Sequence, residues 1–138
     1  MSAVLEAMYK AERNALLADA PLVALVGTRI YDLDVPATGD NALPRILIGG
    51  LSDVPFDTFS SWGSIGFNDL HIWGSKEFAQ SQLNAIGARI SIALRAKLAL
   101  VGGTMIRGRA RTVIGDVGDP DETLVHRVMS YTATMQEA

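Results

Sequence analysis

The chain has 138 residues, of which 49% are apolar and 20% are charged, and its formal net charge is −3. This composition excludes a chain that is disordered throughout, and the acidic balance excludes a general electrostatic attraction to nucleic acid or to anionic membranes. The sequence contains no cysteine, which excludes disulfides, thiolate metal sites and cysteine nucleophiles. A chain of this length can bury its own core, so we predict a single domain over residues 1–138.

Two helices are predicted at the beginning of the chain. Ser2 is suited to cap a first helix that ends near Ala18, because residues 19–21 end in a proline that a helix interior does not accept. A short second helix follows over residues 21–26 and ends at Gly27. The start of the chain lacks the pattern of a signal peptide, and no apolar run approaches the ~18 residues of a membrane span. We therefore expect the chain to fold in a cytoplasm.

Two short strands and two loops are predicted next. Strands over residues 28–33 and 44–49 flank a loop over residues 35–43 that is rich in turn-forming residues. Residues 50–66 are predicted to form a long loop, because proline, glycine and four serines interrupt them. A loop of this length in a compact domain is usually functional or mobile.

Three aromatic residues of this long loop are a candidate interaction site. Phe56, Phe59 and Trp62 are spaced by three in an otherwise polar segment. Aromatic side chains dominate both protein cores and protein interfaces. Two interpretations therefore remain open: the three rings tuck under the domain, or they contact a partner.

A strand followed by a long helix forms the centre of the predicted fold. The strand covers residues 67–73, and the helix is predicted to begin at the cap Ser75 and to end near Leu98. One face of the helix is formed, at three- and four-residue spacing, by Ala79, Leu83, Ile86, Ile90, Ala93, Leu94 and Lys97. Such a helix needs a sheet or another helix beneath it to bury this face.

Two alternating strands complete the predicted sheet. They cover residues 104–114 and 124–135 and are expected to pair as an antiparallel hairpin, joined by an acidic turn over residues 115–123. The order of elements predicts an α+β fold, in which a mostly antiparallel sheet of about four to five strands carries two main helices on one face.

No catalytic, cofactor-binding or metal-binding residues are predicted. His71 and His126 each lie in a predicted strand, and Asp69 shares a strand face with His71, but a metal site needs further converging ligands. The glycine pairs lack the spacing of a phosphate-binding loop, and no serine lies in a nucleophile elbow. The acidic turn lacks the ligand spacing of a calcium loop, so we interpret it as a solvated turn.

A row of three arginines is the most unusual feature. Arg107, Arg109 and Arg111 alternate along a predicted strand and share a face with Met105 and Val113, which spaces the guanidinium groups ~6.5–7 Å apart along the strand. Two interpretations remain open. The row is either a solvated face, on which arginine stems cover apolar surface, or a contact surface for carboxylates or phosphates.

The acidic turn is a natural complement to the arginine row. Its acidic residues are Asp116, Asp119, Asp121 and Glu122. This turn cannot fold back along its own strand to reach all three arginines, whereas the turn of a neighbouring copy could. In a closed ring, each subunit would contact one neighbour through its acidic turn and the other neighbour through its arginine row. We predict that the arginine row, the acidic turn and the three loop aromatics form subunit or partner interfaces.

Four segments taken together resemble a known family. They read LVALVGTRIYD over residues 22–32, LPRI over 43–46, HIWG over 71–74 and VHR over 125–127. This order resembles the tail-completion, or tail-terminator, proteins of long-tailed phages and phage-like gene transfer agents. The most specific parts of the resemblance are LVGTRIYD and the WGS junction between strand and helix.

The resemblance implies a structural protein of the virion with no catalytic residues and no cofactor. Proteins of this family assemble as a ring, usually a hexamer, that ends the tail tube and provides the surface on which the head docks. The implied partners are further copies of the chain, the tail tube protein and a head-side connector or head-completion protein. The implied location is the head-proximal end of the tail, where DNA passes through the bore without sequence-specific binding and no membrane is contacted.

A second class of function remains open from the residues alone. The face formed by Arg107, Arg109 and Arg111 could belong to a small ligand-binding or nucleic-acid-binding domain, or to a minor enzyme. Such a protein would be a monomer or dimer with a salt-sensitive affinity for its ligand, whereas a tail-terminator protein would form a ring, alone or on the tube.

Overall fold

The computed structural model describes residues 3–32, 44–55, 62–75, 79–95, 97–117 and 124–137. Its helices are α1 (Ala3–Ala18), α2 (Ala20–Val26) and α3 (Ala79–Ala93). Its strands are β1 (Ile30–Asp32), β2 (Arg45–Pro55), β3 (Gly63–Ser75), β4 (Gly103–Val117) and β5 (Leu124–Glu137). No helix in these ranges is long and apolar enough to cross a membrane.

The strands form one sheet in the order β1-β2-β3-β5-β4. β1 runs parallel to β2, and the other neighbouring pairs, β2–β3, β3–β5 and β5–β4, are antiparallel. The helix-bearing, mostly antiparallel sheet confirms the predicted α+β fold. The sequence order places α3 and β4 between the central neighbours β3 and β5, so their pairing is long-range.

The core lies between the helices and one face of the sheet. On β3 the even-numbered residues Leu70 and Ile72 are fully buried, because successive strand side chains point to opposite faces. From α3, the residues Leu83, Ile86 and Ile90 are fully buried in the same cluster. The apolar face predicted for the long helix is therefore the face that meets the sheet.

The other side of the sheet is uncovered by the described helices, and we call it the open face. Strand alternation and register place on it Arg45, Leu47, Ile65, Phe67, Asp69, His71, Trp73, Arg107, Arg109, His126, Val128, Ser130, Thr132 and Thr134. It combines cationic, aromatic, aliphatic and hydroxyl side chains with the carboxylate of Asp69.

Polar contacts of Asp19 connect α2 with α3. Asp19 caps α2 by accepting a hydrogen bond of 3.1 Å from the backbone N–H of Leu22. The same carboxylate receives two hydrogen bonds from the Arg89 guanidinium of α3, of 2.7 and 3.1 Å. This pairing lowers the pKa of Asp19 below its ordinary value, because the Arg89 hydrogen bonds favour the charged carboxylate.

The prediction of a long loop over residues 50–66 is wrong at both ends of this range. β2 continues to Pro55 and β3 begins at Gly63. The pairing of β2 with β3 shifts between Gly49 and Ser52, where Gly50 adopts a positive φ of 68°. This irregularity interrupts the alternation of side chains without ending the strand, which is why the pattern indicated a loop.

The long helix is shorter than predicted. α3 ends at Ala93, not near Leu98, and the next residues form a turn in which the N–H of Arg95 bonds back to the carbonyl of Ile92. Leu98 and Leu100 still pack against the core from a non-helical segment, so their apolar character extended the helical pattern. Ser75, the predicted cap, is the last residue of β3.

A bulge in β4 corrects the predicted composition of the arginine face. The register with β5 shifts between Met105 and Arg107, so two residues of β4 oppose one of β5. Met105 is consequently buried at 2% exposure on the core side, whereas the extra residue Ile106 is 47% exposed. The prediction that Met105 shares the face of the arginines is wrong.

β4 also runs further than predicted, to Val117 in place of residue 114. Asp116 therefore belongs to the strand, where its backbone is opposite Arg127, and not to the turn to which the pattern assigned it. Two further register shifts lie in this part of the strand, after Thr112 and after Ile114, which obscured the alternation.

Candidate functional site

Two guanidinium groups lie side by side on the open face near its β4 edge. Arg107 is opposite Thr134 and Arg109 is opposite Thr132 in the register of β4 with β5. Both arginines are exposed. Within the described part of the chain neither is paired with a carboxylate, since the ion pairs found there are Lys10–Glu6 and Arg89–Asp19.

A depression of about 350 Å³ lies between these arginines and β3. It is lined by Ile65, Arg107, Arg109, Ser130, Thr132 and Thr134. Guanidinium groups are fixed donors that match carboxylate and phosphate oxygens, and the hydroxyls add further donors. The depression is thus suited to receive anionic oxygen atoms.

The opposite flank of the depression is apolar. In the register across the sheet, Val54 of β2 is opposite Ile65, which is opposite Thr134. Val54 is 53% exposed, and Phe67, in the next row, is 40% exposed. The surface around the arginines therefore offers apolar contact on one side and positive charge on the other.

The structure describes only part of the predicted interface. The backbone of Arg111 is opposite Ser130 on β5. The side chain of Arg111 lies outside the part of the chain that the structure describes. Trp62 precedes β3 and is 70% exposed, so its ring is not tucked under the domain. The side chain of Asp116 and all atoms of Phe56, Phe59, Asp119, Asp121 and Glu122 lie outside the described residues.

The two histidines meet at the other end of the open face, a contact that sequence reasoning missed. His71 Nδ1 lies 2.8 Å from His126 Nε2, so one ring donates a hydrogen bond to the other. Asp69 and His71 share this face of β3, as the alternation indicated, and His71 forms its hydrogen bond with His126. The sequence alone does not predict this contact, because it depends on the register of β3 with β5, which places Trp73 directly opposite His126.

Stacking completes this aromatic cluster. The rings of Trp73 and His126 lie 4.2 Å apart between centroids with an interplanar angle of 10°. The Arg45 guanidinium carbon lies 5.3 Å from the centre of the Trp73 ring. Burial lowers the pKa of His71, and the charge of Asp69 opposes this shift only partly. The described residues contain no group of three or more potential metal ligands, and the cluster is a packed stack.

A buried carboxyl group also went unrecognised from the sequence. Glu12 of α1 is fully buried, and its Oε1 accepts a hydrogen bond of 2.9 Å from Asn68 Nδ2 of β3. Burial raises the pKa of Glu12 to about 8, and the Asn68 hydrogen bond offsets this only partly. The group lies beneath the sheet, on the side opposite the open face, so it supports the core.

Comparison with known proteins identifies relatives of this chain. The model of the family described as "Tail completion protein gp17" matches residues 10–136. The tail completion protein gp17 of Bacillus phage SPP1 is 28% identical over 96 residues, which cover 70% of this chain and 70% of that protein.

Two solved structures are similar over nearly the whole fold. A chain from the virion of a native gene transfer agent particle superimposes with a TM-score of 0.78 at 25% identity, covering 99% of both chains. The structure of bacteriophage SPP1 gp17 gives a TM-score of 0.60 at 26% identity, covering 94% of this chain and 89% of that one. The family match spans α1 through β5 and confirms the resemblance seen in the sequence. The chain belongs to the Tail completion protein gp17 family and is a structural, non-enzymatic component of the virion tail.

Proposed function

We propose that this chain, as a single domain, ends the growth of the tail tube by assembling as a ring, a hexamer, on the last ring of the tube. The ring would then present the surface on which the DNA-filled head docks. The observation that carries this proposal is the similarity to a chain of the gene transfer agent virion over 99% of both chains. A fold shared over 99% of both chains supports a shared place in the particle.

The proposed partners follow from that place. One side of the ring meets the tail tube protein, the other side meets a head-side connector or head-completion protein, and neighbouring copies meet at the seams. DNA passes through the bore during ejection. A net charge of −3 suits this passage, because a strongly basic lumen would retain DNA through its phosphates.

The interfaces proposed for the ring use the surfaces that the fold leaves uncovered. Arg107 and Arg109 are exposed on the open face, and Trp62 is exposed where β3 begins. Together with Arg111, Phe56, Phe59 and the acidic residues 116–122, they remain the candidates for contact with other subunits or partners. Exposed arginines and aromatic rings are enriched at the energetic centres of protein interfaces.

One observation favours a second candidate function. The depression on the open face combines two guanidinium groups with three hydroxyls, which is also the donor set of a small-anion or nucleic-acid phosphate site. In this alternative the chain binds such a ligand as a monomer or dimer, with an affinity that falls steeply with salt.

Size-exclusion chromatography with light scattering separates the two candidates. The ring proposal predicts a particle of ring mass, or a monomer that becomes ring-bound only when purified tail tubes are added. Persistence of a monomer or dimer beside assembled tubes, together with salt-sensitive binding of an anionic ligand, would contradict the ring and support the alternative.

A further inference from the structure

We propose that the depression on the open face receives carboxylates from a second copy of this chain, supplied by that copy's acidic segment over residues 116–122. This inference rests on the proposed ring and names one of its seams. The acceptor is formed by Arg107 and Arg109 with the hydroxyls of Thr132 and Thr134. The donor segment contains three aspartates and one glutamate.

The acceptor has the properties of a covered surface. A sheet face that stays in water is normally polar, yet Val54 is 53% and Phe67 is 40% exposed beside the depression. Arg107 and Arg109 repel each other and, within the described ranges, have no carboxylate partner. A partner that brings both apolar contact and negative charge removes both costs.

The charged residues of the donor and of the acceptor have the same spacing in the sequence. Arg107 and Arg109 are alternate residues of β4, so their side chains leave the strand on one face ~6.5–7 Å apart. Asp119 and Asp121 are also two residues apart. In the proposed contact each of these two carboxylates pairs with one guanidinium.

The chain cannot make this contact with itself. Arg109 lies eight residues before the end of β4 at Val117, a distance of roughly 25 Å at the rise of a strand. Asp119 follows Val117 by two residues, so it lies at most ~7 Å from it. Because Val117 is opposite His126 at the far end of the hairpin, the carboxylates must come from another molecule.

Donor and acceptor lie at different places on one subunit, which fixes the kind of assembly. Such a contact is head-to-tail: each copy gives its acidic segment to one neighbour and receives that of the other. Repeated around an axis, a head-to-tail contact forms a ring where its rotation closes, as the proposed function requires. Charge complementarity at the seam also discriminates against wrong partners, since like charges brought together there repel.

Charge exchange tests this seam. In the presence of tail tubes, we expect the double variant Arg107→Glu/Arg109→Glu to lose ring assembly at least ~10-fold, and Asp119→Arg/Asp121→Arg to do the same. Combining all four changes in one chain restores the attraction with reversed sign and should recover assembly. Arg95→Glu, at an exposed turn after α3, is the matched control and should assemble normally, and circular dichroism verifies that every variant folds.

Each outcome is informative. Normal ring assembly by Arg107→Glu/Arg109→Glu would overturn this seam. A loss of assembly that the fourfold variant does not recover would also overturn it, and the arginines would then contact a different partner. Salt-sensitive binding of duplex DNA that disappears in the same double variant also overturns it. If the unmodified chain forms no ring on tubes, the proposed function itself fails, so the two failures are distinguishable.

Discussion

Asn68 Nδ2 of β3 donates a hydrogen bond of 2.9 Å to Glu12 Oε1 of α1, two residues that are 56 positions apart in the sequence. Within the described residues, Glu12 Oε2 and Asn68 Oδ1 are both left without a hydrogen-bond partner. Both of these buried oxygen atoms are acceptors without a donor. A proton on the Glu12 carboxyl group would supply a donor to this pair. The raised pKa of Glu12, about 8, agrees with a neutral side chain at pH 7.

The buried Glu12 should make the stability of the chain fall as the pH rises. The folded chain holds a proton up to a pKa of about 8 that the unfolded chain releases above 4.5. Raising the pH through this window therefore favours unfolding, by at most ~1.4 kcal/mol per pH unit. We expect Glu12→Gln, which cannot ionise, to remove this slope in denaturant unfolding measured between pH 5 and pH 8.

Glu6→Gln is the control for this measurement, because Glu6 lies on the same helix but is exposed and paired with Lys10. It should leave the pH dependence as in the unmodified chain. Unfolding curves of Glu12→Gln that shift with pH in parallel with those of the unmodified chain would show that Glu12 is not the group responsible.

His71 should titrate below the ordinary histidine pKa of 6.5. Burial disfavours its charged form, and full protonation of both rings would also abolish the hydrogen bond to His126, since neither ring would then accept. This contribution to stability is complete above pH 6.5 and is lost as the pH falls, which is the opposite sign to that of Glu12. Imidazole ¹⁵N NMR of the folded chain measures the midpoint directly, with the urea-unfolded chain as reference. A folded midpoint at or above the unfolded one would contradict the packed stack.

Gly108 should not accept a side chain. A Cβ atom there would overlap the hydroxyl oxygen of Tyr131 and lie 2.9 Å from Met105 Sδ. Both neighbours are buried and joined by a hydrogen bond of 3.2 Å from Tyr131 Oη to that sulfur. We expect Gly108→Ala to lower the free energy of unfolding by about 1–3 kcal/mol, measured by chemical denaturation.

Gly87→Ala is the matched substitution with the opposite expected sign. In α3 a Cβ atom at position 87 meets only Met129 Sδ at 3.6 Å, an ordinary contact. Alanine is favoured over glycine inside a helix by up to ~1 kcal/mol, so this variant should be more stable. A stabilising Gly108→Ala, or a destabilising Gly87→Ala, would contradict the packing described for these positions.

Local patterns were enough to predict much of the fold. The spacing of Leu83, Ile86 and Ile90 predicted the buried face of α3, and the alternation of Arg107 and Arg109 predicted that they share an exposed face. The errors arose where the backbone is irregular. The bulge at Ile106 moved Met105 to the core, and the irregularity at Gly50 hid the continuation of β2.

The candidate site was predictable only in part, for a different physical reason. The contacts of Glu12 with Asn68 and of His71 with His126 span 56 and 55 positions of sequence. They depend on which strands become neighbours and in which register, and side-chain periodicity within one strand carries no information about either. The arginine row was visible because all its members lie on one strand.

Electron microscopy of particles assembled without this chain tests the central claim most directly, because it measures tail length and head attachment together. If the chain forms the ring that ends the tube and receives the head, particles without it should show tails of uncontrolled length and filled heads that remain unattached. Tails of uniform, normal length joined to filled heads in its absence would contradict the account.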